Sequence, residues 1–195
     1  MALLTKGTTL EDICCQEYEV ANCEPLHDLK NVIHIILNEF AIIVEQKELR
    51  RQVQEFCKQT VGMKSTLKGC DARLFLINLT KMFMGDNFQC DPQCCKVSRM
   101  LISLTEIQRL AYQLEDQRCS RDLLHMTLMT LRFSTAYTSI FSGAKSSTRR
   151  IFGTPYHSVV AHMPETYRLI SLRSLVAEAS ERLFHELRYN RNGSV

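Results

Sequence analysis

Apolar positions recur along this chain at helical spacing, and no segment alternates as a strand would. Between Pro25 and Glu45, Leu29, Ile33, Ile36, Phe40 and Ile43 fall at i, i+4, i+7, i+11 and i+14, one face of a helix. Pro25 suits the first turn, where its missing N–H has no intrahelical partner. A more polar helix is predicted over Lys47–Thr60, followed by a break between Gly62 and Gly69. A further helix is predicted over Asp71–Met84, stopped by the turn residues Gly85-Asp86-Asn87. Cys90–Cys95 reads as a loop, and Val97–Leu114 and Arg121–Phe141 as apolar helices. The polar, basic stretch Ser142–Arg150 reads as a loop, Pro155 and Pro164 bracket a short helix or turn, and Ser174 caps a last helix to about Tyr189. The expected fold is all-α, six to eight helices in one compact domain over residues 24–190, with an N-terminal extension over 1–23 and a short tail over 191–195.

Composition narrows this picture only slightly. With 195 residues at 45% hydrophobic and 23% charged, the chain can bury a core and is not of the disordered class. Seven Gly and four Pro are too few for the dense turns of an all-β sandwich. A net charge of +3 does not by itself announce a nucleic-acid binder. The nine cysteines matter more, because the N-terminal stretch lacks the apolar run of a signal peptide and no segment is long enough to span a membrane. The expectation is an intracellular protein with reduced thiols and no membrane partner.

Four groups of residues carry candidate chemistry. His157 and His162, in PYHSVVAH, have a spacing used by zinc sites. On an unbroken α-helix, positions five apart lie about 140° apart around the axis, so both rings reach one metal only if the backbone bends. Cys90 with Cys94 or Cys95 offers a second half-site, and a Cys-rich turn with one buried thiol is its plainer reading. His27, Asn31, His34 and Asn38 form a polar stripe on the first helix, expected either to be covered by neighbouring helices or to meet a partner. Arg149, Arg150, Arg182 and Arg188, with Arg191, are candidates for non-specific phosphate contacts with DNA. In the last helix Val176, Ala179, Leu183 and Leu187 form the apolar stripe, which leaves Glu178 and Arg182 on the other side as an ordinary i, i+4 ion pair.

Three segments, in order, resemble the C-terminal part of the recombination-activating transposase family. They are Pro25-Leu26-His27-Asp28-Leu29-Lys30-Asn31, then Tyr156-His157 with His162-Met163-Pro164-Glu165, then Glu178-Ala179-Ser180-Glu181-Arg182-Leu183-Phe184. That family comprises the catalytic chain of the antigen-receptor recombinase, the Transib transposases and their invertebrate relatives. The match spans about Glu24 to Asn190, nearly the whole chain, and a family Cys-x4-Cys also matches Cys90 and Cys95.

The resemblance implies a mostly helical, zinc-containing insertion, normally set between an RNase H-like sheet bearing two Asp residues and a helix bearing a catalytic Glu. Glu178 matches that third carboxylate, and His157 and His162 match the His half of the zinc site. In a complete enzyme the three carboxylates hold two divalent ions, Mg²⁺ or Mn²⁺, for DNA strand transfer. Here only 25 residues precede Leu26, and neither the sheet pattern nor a C-x2-C zinc half occurs. The resemblance therefore implies a fragment or domesticated module, inactive alone as a nuclease and completed, if at all, by another chain carrying the sheet. A nuclear location follows from the resemblance only. The competing expectation is an unrelated all-helical protein-interaction domain.

Overall fold

The computed structural model describes residues 23–39, 44, 46–61, 69–142 and 151–176. Every regular element among them is helical, so the fold is all-α. The helices are α1 (Pro25–Asn38), α2 (Lys47–Val61), α3 (Gly69–Phe83), the short α4 (Asp86–Gln89), α5 (Pro92–Ala111) and α6 (Ser120–Phe141). A 3₁₀ turn, Glu115–Gln117, reverses the chain between α5 and α6. The last described segment is α7 (Thr154–His157), a π turn (Ser158–His162), α8 (Met163–Leu169) and a 3₁₀ turn (Leu172–Leu175).

Local chemistry explains where these helices start. The Glu24 carboxylate accepts from the His27 amide at 2.7 Å, ahead of Pro25 in the first turn of α1. Asp91 repeats the device for α5, accepting from the Cys94 amide at 2.8 Å ahead of Pro92. Asp122 takes the Cys119 amide at 3.1 Å to open α6. Each cap satisfies an N–H that the helix leaves without a partner.

The largest differences from the sequence expectation are at α1 and α5, and Asp86 and Asn87, expected as turn residues, open the short α4. Helix α1 stops at Asn38 instead of continuing to Glu45, with the Glu39 amide bonded back to Ile35 O at 3.0 Å. Phe40 and Ile43, which extended the apolar pattern, lie outside the described residues. Helix α5 starts five residues before Val97, because the Asp91-Pro92 cap is stronger than the loop character of the cysteines. Cys94 and Cys95 are therefore helical, and Cys94 is buried.

The core gathers around α5. Val97, Met100, Leu101, Leu104, Ile107 and Leu110 are fully buried there. Helix α6 packs along it in antiparallel sense, pairing Gln113 with Asp122 and Glu106 with His125, while α3 packs on α5 and α1 on α3. Each large side chain so buried contributes about 1.5–3 kcal/mol. Both ends of the 154–169 segment are anchored to this frame. At one end, Tyr156 stacks on Tyr137 with ring centres 4.8 Å apart and shares a hydrogen bond with Ser134 at 2.8 Å. At the other, the Tyr167 hydroxyl donates to Gln113 at 2.7 Å, and the Arg118 guanidinium lies over the Tyr167 ring and bonds its carbonyl. The π turn is thus held between two fixed points.

Candidate metal-binding histidine pair

Pro164 falls inside a helix instead of ending one. It has no N–H to give, and its ring crowds the carbonyl one turn back, so a regular α-helix is disfavoured through this stretch. The backbone answers by widening. The Met163 amide donates to Ser158 O, five residues back, which makes Ser158–His162 a π turn.

This widening decides where the two histidines go. A turn closed five residues back returns side chains five apart to nearly the same face. The His157 and His162 rings accordingly lie with centres 4.8 Å apart and planes at 88°. Two imidazole nitrogens on one tetrahedral zinc stand about 3.3 Å apart, given Zn–N near 2.0–2.1 Å, and rings at this separation can meet that distance. His157 is exposed and His162 half-buried. The His162 Nδ1 is itself buried without a hydrogen-bond partner. A buried imidazole nitrogen left unpaired costs free energy, and a metal ligand bond is one way to satisfy it.

Beneath the pair lies a link the sequence reading missed. Ser158, which opens the π turn, donates its hydroxyl to Asp28 Oδ2 at 2.5 Å. The same oxygen accepts the Glu24 amide at 3.1 Å. Helix α1 is thereby tied to the first residue of the π turn. Burial raises the Asp28 carboxyl above its usual value, opposed by these hydrogen bonds. Cys23, beside Asp28 and Ser158, is pushed up to about 12 by burial and by the Asp28 charge, which keeps it a thiol. An acidic residue in the first turn of an apolar helix was the visible signal, but such a residue usually serves the helix dipole.

The other candidates behave differently. Among the described residues, no three His, Cys, Asp or Glu side chains converge as a metal site, so Cys90 and Cys95 do not complete a tetrahedron with the two histidines. The physical reason is local. The Cys95 thiol donates to Gln89 O at 3.1 Å, while Cys90 is exposed. Cys94 is buried with its thiol raised to about 12, by burial first and then by Asp91. On α1 the polar stripe is only partly covered: His27, Asn31 and Asn38 are exposed and His34 is half-buried. Burial and the nearby Lys30 lower His34 below the usual histidine value. Glu178, Arg149, Arg150, Arg182 and Arg188 lie outside the described residues. No described helix is long and apolar enough to cross a membrane. No family model matches the chain, nor does any curated protein or solved structure.

Proposed function

We propose that this chain is a helical, zinc-supported module related to the recombination-activating and Transib transposases. It acts as a fragment or domesticated relative that associates with DNA or with a chain carrying the catalytic sheet, and not as a nuclease by itself. The observation that supports this reading is the convergence of His157 and His162. A spacing that an α-helix would splay apart is brought together by a π turn, and that spacing is the one the family's zinc motif uses. π turns occur often at functional sites, where they re-aim side chains.

The donor set fits half of a structural zinc site: two imidazoles, one with an unpaired buried nitrogen. A bound Zn²⁺ would supply cross-linking between the 154–169 segment and whichever residues complete the tetrahedron. Cys14 and Cys15, on the N-terminal side of the chain, are the first candidates in this sequence. The protein's own share of the work is positional. Asp28 and Ser158 fix one side of the π turn, and Pro164 maintains its width.

The test is metal content by mass spectrometry of protein dialysed against micromolar zinc, followed by competition with a chromophoric chelator. Wild-type protein is expected to retain about one zinc per chain, and His162→Ala to lose it while keeping its helical circular dichroism. A wild-type chain without zinc, or a double variant at His157 and His162 that retains it, overturns the reading.

A further inference from the structure

Helix α6 is apolar on two sides. One side, with Met126, Met129, Phe133 and Tyr137, is buried in the core. The other carries Leu124, Leu128 and Leu131, which are 72%, 41% and 61% exposed. These three fall at i, i+4 and i+7, on one stripe. The threonines beside them add little polarity. Thr127 donates its hydroxyl to Leu123 O at 3.1 Å, and Thr135 to Leu131 O at 2.9 Å, so both hydroxyls are engaged with the helix's own carbonyls. A helix apolar all round is ordinarily covered.

One edge of this stripe is basic. Arg121 and Arg132 are exposed and three turns apart on the same flank of α6. That flank adjoins α5, as the contacts of Glu106 show: its carboxylate meets His125 of α6 at 3.3 Å and Arg109 of α5 at 2.9 Å. The same antiparallel register, two turns further, sets exposed Arg99 opposite Arg132, with exposed Lys96 beyond. On this seam Glu106 is engaged by Arg109 and His125, and Asp122 by Gln113 and the Cys119 amide. Among the exposed side chains of α6 itself, none is acidic.

We propose that the Leu124–Leu128–Leu131 face of α6 is a docking surface for an amphipathic helix of a partner protein whose flank is acidic. The leucines receive the partner's apolar stripe, at the usual 8–10 Å between helix axes. Arg121, Arg132 and Arg99 receive its carboxylates, which sets orientation and speeds encounter. Charge argues against an antiparallel second copy of this chain. Two α6 faces packed antiparallel about a two-fold axis would bring their arginine edges to the same side, where like charges repel. Phosphate recognition alone would account for the arginines but not for the three leucines. The inference is independent of the histidine pair.

The experiment uses fluorescence anisotropy with two designed helical peptides of about 20 residues. They share one leucine stripe, and one carries Glu and the other Lys along the flank. The acidic peptide is expected to bind at least about tenfold more tightly than the basic one, with the gap narrowing as salt rises. Leu124→Asp with Leu131→Asp should abolish binding without lowering the thermal midpoint, because both side chains are solvent-facing. Arg121→Glu with Arg132→Glu should reverse the preference toward the Lys peptide. Equal binding of the two peptides, or no binding of either, overturns the proposal. So does tight binding of a short duplex DNA that needs the arginines and survives the leucine substitutions. A concentration-dependent dimer abolished by Leu128→Asp also overturns it, assigning the face to a second copy.

Discussion

Asp28 is the residue whose environment has the clearest consequence. Its Oδ2 accepts both the Ser158 hydroxyl and the Glu24 amide, in a half-buried position beside Cys23, Glu24 and His27. Burial raises its carboxyl, so the folded state holds the proton more tightly than the unfolded state does. The stability linked to this group is full below the unfolded carboxyl value and is lost as pH rises through the folded one. Asp28→Asn keeps an oxygen acceptor for both donors and removes the charge. It is expected to raise the urea midpoint at neutral pH, with the gain vanishing below about pH 4, where both carboxyl forms are protonated. A lower midpoint for the Asn variant at neutral pH would mean that the ionised carboxylate is needed to hold Ser158. The sequence marked Asp28 only as part of a motif; its partner stands 130 residues away, which no local pattern encodes.

At the scale of one element, the helix over 154–169 trades regularity for the convergence of its histidines. Pro164 is about 3 kcal/mol less favourable than Ala in a helix interior, and the π turn before it leaves the backbone wider than an α-helix. Pro164→Ala restores an N–H and lets the segment wind as a regular α-helix. His162 would then rotate away from His157. The expected result is unchanged or higher thermal stability together with weaker zinc binding, a pair of opposite effects that general unfolding would not give. Calorimetry and chelator competition on the same preparation read both. Equal zinc affinity in the two proteins would show that the Asp28–Ser158 tie or the Tyr156 and Tyr167 anchors hold the turn without the proline. The prolines were legible as a disturbance of the helix. That the disturbance would be a widened turn inside a continuous helix, and not a break, was decided by the anchors at both ends.

For the whole molecule, the pairing of α5 with α6 is the largest contact between two helices among the described residues. Phe133 is fully buried, tilted against Tyr137 at 5.3 Å and Tyr156 at 6.2 Å, and thereby joins α6 to the histidine segment. Phe133→Ala should cost about 3–5 kcal/mol in urea unfolding, and it should also loosen the π turn through Tyr156. A loss below about 1 kcal/mol would mean that the aromatic cluster repacks to fill the space. Periodicity alone determined that the chain is all-α and placed most of its helices, because apolar spacing and helix-start residues such as Pro25 are local properties. It also named His157 and His162 from their spacing, and left open whether they meet. What only the tertiary structure decided is long-range. Helix α1 ends at Asn38, the Cys95 thiol turns to Gln89 while Cys90 stays exposed, and of the polar stripe of α1 His27, Asn31 and Asn38 are exposed and His34 is half-buried. The two imidazoles come together because a proline, a distant aspartate and two aromatic anchors act on the same turn. A leucine stripe reads the same in sequence whether it faces a core or the solvent, since both faces of α6 obey one period; only the packing of α5 against one of them leaves the other exposed.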